Sequence, residues 1–198
     1  MASLHPPVET KALLFDCDGT LVDTLSLYRE CWRTVFGDRG FEMHDDWFES
    51  FAGLSMEPFI ASAFPDIPPD TATEIENEGL ALFLASVHEL TVIDSVVDVV
   101  RANAGVRPMA VVSGGPGLAV EASLKGVGIR ALFDLVITAD DVSDGKPAPD
   151  VYLLAMERLG YKPDDCAVYE DTDAGIESAF RAGISVVFDV RTSEMARM

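Results

Sequence analysis

Residues 13–24 read LLFDCDGTLVDT. A short apolar run ends in Asp16 and Asp18, one residue apart, and Gly19 and Thr20 follow. Two carboxylates at the end of a buried run repel each other and are costly to desolvate. The charge that offsets them has to come from elsewhere in the chain.

Residues 11–15 are the first of several short runs of the same kind. Others fall at 109–112, 135–138, 167–169 and 184–188. They are apolar, rich in β-branched residues and mostly not alternating, as in strands buried on both faces of a parallel sheet. Helical patterns lie between them at 96–102, 116–125, 149–159 and 173–182. Pro116 opens one of these, at a position that tolerates proline. Gly160 and Gly183 close the last two as C-caps. The alternation predicts an α/β fold with right-handed βαβ units and a doubly wound, mostly parallel, Rossmann-like sheet.

One segment breaks the alternation. From 25 to 90 the patterns are helical, at 27–36, 45–52, 56–63 and 71–88, with a turn at PDIPPD, 65–70. This predicts a small α-helical cap inserted after the first strand. The core domain would be 1–24 and 91–198, and the cap domain 25–90. The cap carries 13 Asp and Glu against three Arg and no Lys, which reads as a solvated acidic face.

The whole chain is acidic too. It has 198 residues, 48% of them hydrophobic, enough for one core and a small insert. A net charge of −20 repels phosphate backbones and anionic lipid, which argues against nucleic acid and membrane partners. The three cysteines, Cys17, Cys31 and Cys166, form no CxxC pair and suit a reducing compartment. Cys17, between the aspartates, is expected to turn into the core. His5, His44 and His88 lack metal-ligand spacing. The first residues lack the pattern of a signal peptide, and no apolar run is long enough to span a bilayer. The expectation is a soluble, cytoplasmic monomer or weak dimer.

In open α/β sheets, ligands bind outside the carboxyl ends of the strands. The first predicted strand leads into Asp16-Cys17-Asp18-Gly19-Thr20, the second into Ser113-Gly114-Gly115. Gly145-Lys146-Pro147 comes some residues after the third, and Glu170-Asp171 after the fourth. Four carboxylates, Asp16, Asp18, Glu170 and Asp171, would therefore meet at one edge. Oxygen-rich ligation without sulfur or histidine suits Mg²⁺. Lys146 adds a second cation on a loop stiffened by Pro147 and Pro149. The resulting pocket has the polarity to take a phosphoryl group. Ser113, and N–H groups at a helix start, would serve its oxygens.

The stretches DCDGT, VVSGG, GKPAPD and YEDTDAGIESA resemble, in order, the four motifs of the haloacid dehalogenase-like hydrolase superfamily. Within it the pattern is similar to the β-phosphoglucomutase-like phosphatases. It is most like the bacterial fructose-1-phosphate and 6-phosphogluconate phosphatases, including the runs RPMAVVSGG and FDVR. The resemblance implies that Asp16 is the nucleophile, forming an aspartyl-phosphate, and that Asp18 is the general acid and base. It implies that Ser113, Gly114 and Lys146 hold the phosphoryl group, with Gly19 and Thr20 beside it. Asp16, Asp18 (through its backbone carbonyl), Glu170 and Asp171 would hold Mg²⁺. Gly53 and Ser55 match the family's substrate loop. The second aspartate favours phosphate esters over carbon–halogen bonds.

The likeness weakens just past the first motif. Leu25 and Tyr28 stand where sugar-phosphate members often carry an acidic residue and a histidine, and Thr20 stands where mutases tend to have valine. Met56 stands where the mutases have an arginine that grips a second phosphate. These differences place hydrolysis of a small phosphorylated metabolite, a sugar phosphate, ahead of sugar phosphomutase chemistry. A non-catalytic phosphometabolite-binding module is the third reading.

Overall fold

The computed structural model describes residues 4–51 and 56–196. The chain runs β1 (Ala12–Phe15), β2 (Val22–Asp23), then the helices α1 (Leu25–Gly37), α2 (Asp45–Glu49), α3 (Met56–Ala63) and α4 (Pro69–Ser86). It continues with β3 (Thr91–Val92), α5 (Asp94–Asn103), β4 (Met109–Val112), α6 (Gly117–Gly126), β5 (Leu135–Ile137) and α7 (Asp150–Leu159). It ends with β6 (Cys166–Glu170), α8 (Asp173–Arg181), β7 (Val186–Asp189) and β8 (Glu194–Met195).

The main sheet has six strands in the order β5-β4-β1-β6-β7-β8, parallel except for β8. The chain builds outward from β1 to β4 and β5, then crosses to β6 and β7 on the other side. That reversal opens a crevice at the carboxyl end of β1, the place where such sheets bind ligands. Every residue of β1 has 0% exposure. Leu13 and Phe15 join Val96, Val100, Val120 and Leu124 of α5 and α6 on one face. Ala12 and Leu14 join Val151, Tyr152, Ala155 and Ala179 of α7 and α8 on the other. Burial on both faces is why these strands read as unbroken apolar runs. The rings of Phe15, Tyr169 and Phe188 stack across three neighbouring strands at 4.6 and 4.9 Å. Cys17 lies in the same core, facing away from the strand-end crevice.

α1 to α4 form a unit with an apolar cluster of their own, centred on Trp32, Val35, Phe36, Phe59 and Ile75. The chain enters this unit through β2 and leaves through β3. The two pair antiparallel, so both crossings are tied together at one point. Two residues per strand is too short to leave a sequence pattern, and this ladder was not predicted. β8 likewise has no alternation to announce it. α2 ends at Glu49, short of the predicted 52. The Ser50 hydroxyl donates to the Trp47 carbonyl at 2.7 Å, a local bond that competes with helix continuation.

Candidate active site

Asp16 begins where β1 ends, its N–H bonded to the Tyr169 carbonyl at 2.9 Å. Its carboxylate points into the crevice and is only 6% exposed. Lys146, from the loop between β5 and α7, meets it there. The ammonium donates to Asp16 Oδ1 at 2.8 Å, to Glu170 Oε2 at 2.7 Å and to the Val112 carbonyl at 2.9 Å. An ammonium has three donors, and all three are used. Burial by itself pulls the Lys146 pKa down. The Asp16 and Glu170 carboxylates outweigh it, so Lys146 stays charged, well above the usual lysine range.

Glu170 closes β6 and is fully buried. Its Oε1 accepts the Thr172 hydroxyl at 2.8 Å and the N–H groups of Thr172 and Asp171 at 3.1 and 3.3 Å. The Thr172 hydroxyl in turn accepts from the Gly175 N–H at 3.0 Å and so caps α8. The first turn of α8 is thereby locked to the site. A Cβ on Gly175 would overlap the Glu170 carboxyl, so any larger residue there requires that carboxyl to move.

Asp171 follows. Its Oδ1 accepts the Thr20 hydroxyl at 3.0 Å. A Cβ on Gly19 would overlap this carboxylate, and Gly19 holds φ +83°, a backbone region that favours glycine. The predicted contacts of Gly19 and Thr20 with a phosphate are therefore corrected. Thr20 has 0% exposure and supports Asp171, and the Gly19 N–H is taken by the Val22 carbonyl at 2.9 Å. Among the described residues, the N–H groups of Cys17, Asp18 and Gly114 make no hydrogen bond. They are the donors left for an anion, and Cys17 and Asp18 were not predicted in that role.

Asp18 sits apart from the other three carboxylates. Its Oδ2 accepts the Ser113 hydroxyl at 3.3 Å, and Ser113 accepts from the Gly115 N–H at 3.0 Å. Asp18 Oδ1 and Thr24 Oγ1 are buried without a hydrogen bond among the described residues. Burial raises the Asp18 pKa, while the Ser113 hydroxyl opposes the rise. Thr24 is thus a further polar group at the site, one that sequence reasoning marked only as the point where the chain leaves the core. Gly114 lies beside the Lys146 side chain. Gly53 and Ser55 fall outside the described residues.

Oxygen atoms of Asp16, Glu170 and Asp171 lie within 4.8 Å of one another. Burial, then repulsion from Glu170, pushes Asp16 well above the usual carboxylate range, against the pull of Lys146. The same two causes push Asp171 to about 7, against the Thr20 hydroxyl. One lysine does not neutralise this cluster. Three converging carboxylates with surplus negative charge fit a hard divalent cation such as Mg²⁺. A separate concavity of about 570 Å³, lined by Arg33, Phe41, Met43 and Asp45, lies within the helical unit and contains none of these residues.

A Rossmann-like sheet with a buried lysine between strand-end carboxylates has the charge layout that phosphoryl transfer needs. The chain belongs to the haloacid dehalogenase-like hydrolase family, whose profile matches residues 10–183. It is 38% identical to the fructose-1-phosphate phosphatase YqaB of Escherichia coli over 187 residues, covering 90% of this chain and 95% of that one. It is 34% identical to the validoxylamine A 7'-phosphate phosphatase of Streptomyces hygroscopicus subsp. limoneus, covering 89% of this chain and 84% of that one. The structure of CbbY from Rhodobacter sphaeroides in complex with phosphate superposes with a TM-score of 0.82 at 26% identity, covering 94% of this chain and 91% of that one. No helix among the described residues is long and apolar enough to cross a membrane.

Proposed function

We propose that this protein is a Mg²⁺-dependent phosphatase that hydrolyses a small phosphorylated metabolite, a sugar phosphate, through an aspartyl-phosphate on Asp16. The observation that carries the reading is the clamp of Lys146 on Asp16 and Glu170 at 2.8 and 2.7 Å, with Asp171 alongside. The names of the similar phosphatases support the substrate class.

Asp16, Glu170 and Asp171, with the backbone carbonyl of Asp18, would hold the cation. When bound, it neutralises charge on the carboxylates and on the phosphoryl oxygens. Asp16 attacks phosphorus as the bond to the leaving oxygen breaks, and Asp18, its pKa raised by burial, gives that oxygen a proton. Asp18 then takes a proton from the water that hydrolyses the aspartyl-phosphate, releasing phosphate and restoring Asp16. Lys146, Ser113 and the N–H groups of Cys17, Asp18 and Gly114 stabilise the transferring group. The helical unit 25–90 acts as a cap over the strand ends and reads the leaving group. The protein works as a cytoplasmic monomer or weak dimer.

Hydrolysis is favoured over phosphomutase chemistry by the state of the cap's cations. Arg29, Arg33 and Arg39 are all paired with carboxylates, of Asp45, Glu49 and Glu78, which leaves no free arginine there for a second phosphate. The test is phosphate release from a panel of sugar phosphates, with and without Mg²⁺. Release is expected to need Mg²⁺ and to vanish in Asp16→Asn. Activity that survives this substitution rejects the nucleophile. Tight binding without turnover restores the non-catalytic reading.

A further inference from the structure

Tyr152 takes no part in the steps above, yet it touches both residues that bracket Asp16. It is fully buried on α7. Its hydroxyl donates to Glu170 Oε2 at 3.0 Å. Its ring lies against Lys146, with Nζ 5.2 Å from the centroid, within range of a cation–π contact.

A buried tyrosine needs an acceptor, and a neutral carbonyl would serve. Here the acceptor is an anion that also holds the site's lysine. Glu170 Oε1 is fixed by Asp171 and Thr172, and Oε2 by Lys146 and Tyr152. Without the phenol, Oε2 would have Lys146 alone. The carboxylate would then be free to draw the ammonium away from Asp16. The ring acts in the same sense, because a flat wall behind Nζ limits where the ammonium can move.

We propose that Tyr152 is a positioning residue: its O–H fixes Glu170 Oε2 and its ring fixes Lys146, so that both stay aimed at Asp16. This rests on the reading of Asp16, Glu170 and Asp171 as a divalent-cation site. Partners of ligating groups that hold them in place commonly affect cation affinity and rate without touching either cation or substrate.

The experiment is Mn²⁺ binding to the purified full chain without substrate, by calorimetry, for wild type, Tyr152→Phe, Tyr152→Leu and Asp171→Asn. Steady-state kinetics with Mg²⁺ and thermal melts accompany it. Phenylalanine fills the same space and keeps the ring, so the fold is retained. Tyr152→Phe is expected to weaken Mn²⁺ binding by about tenfold and to lower kcat, with KM for the phosphate ester unchanged. Tyr152→Leu lowers kcat further, because Lys146 loses the ring. Tyr152→Phe that melts lower but binds Mn²⁺ as wild type does overturns the proposal and leaves Tyr152 as packing alone. Wild-type uptake that Asp171→Asn abolishes and Tyr152→Phe leaves intact also overturns this inference, while supporting the cation site. A wild-type protein that takes up no Mn²⁺ overturns the reading of the site, and this inference with it.

Discussion

At the carboxyl ends of β1, β4 and β6, side chains are held by hydrogen bonds to buried charges. In α1 to α4 they are held by rings. Phe36 alone lies against Trp32, Phe41, Trp47, Phe59 and Phe64, at centroid distances of 5.1 to 6.1 Å. The helical unit's charges sit outside this cluster in surface ion pairs, such as Arg39 with Glu78. A buried polar network has few alternative arrangements, since each lost partner leaves an unsatisfied charge. A ring cluster tolerates substitution as long as volume is kept. The strand-end site is therefore fixed by identity at particular positions, and the helical unit by size and shape.

The largest expected effect comes from setting the two kinds of constraint against each other at Gly175. Alanine is a better helix former than glycine by about 1 kcal/mol, and Gly175 lies within α8. By propensity alone, Gly175→Ala stabilises. By geometry its Cβ would overlap the Glu170 carboxyl, which five hydrogen bonds hold still. The network is expected to win. Activity falls by about 100-fold or more, in line with displacement of a positioned catalytic group, and the melting temperature drops. A variant that melts higher and keeps its rate shows that the carboxylate moves freely.

The second test enters from the cap. Trp32 is 3% exposed and packs on Phe36, Phe59 and the face of Gly79. Trp32→Ala is expected to cost about 3–5 kcal/mol of stability. If the division of labour holds, the damage stays in the cap. KM for the preferred sugar phosphate rises several-fold, while p-nitrophenyl phosphate, whose leaving group needs little recognition, keeps its kcat. Equal losses on both substrates show that the cap also positions the catalytic groups.

The same contrast explains what the sequence disclosed. The strands were legible because burial on both faces removes polar residues from them. Asp16, Lys146, Glu170 and Asp171 were legible because each stands just past such a run, or on a Pro-stiffened loop beyond one. Thr172 and Tyr152 were not, and Thr20 was marked for a phosphate and not for its bond to Asp171. Each works through a partner's carboxylate, and for Thr20 that partner is 151 residues away. A threonine in a turn and a tyrosine on a helix's apolar face carry no local mark of such a task. β2 and β3 were missed for the complementary reason: their pairing fixes the entry to the cap, but two residues show no period. The four helices α1 to α4 were legible from amphipathic spacing. Which of their side chains face a substrate was not, since the cluster reads as rings wherever they point.

The smallest effect separates ion pairs at the sheet edge from those of the cap. Arg191 grips Asp189 with two donors, at 2.9 and 2.7 Å, and also reaches Asp173 at the start of α8, at 2.8 Å. Arg33 meets Asp45 through one atom pair in the open. Hydrogen bonds from Arg191 hold the Asp189 carboxyl below its usual pKa. A carboxylate with a depressed folded pKa contributes stability at pH values above its unfolded pKa, and loses it as pH falls through the folded one. Asp189→Asn should therefore lower the melting temperature at neutral pH and match wild type in strong acid. The side chain is partly solvated, so screening limits the effect to about 0.5–1 kcal/mol. Asp45→Asn, at a more exposed carboxylate that meets Arg33 and, at 3.8 Å, Arg29, should change the melting temperature less. Melts of both variants across acid and neutral pH decide the matter. A larger loss for Asp45→Asn, or a loss for Asp189→Asn that grows toward acid pH, shows that the arginine fork at the end of β7 holds no more firmly than an exposed ion pair.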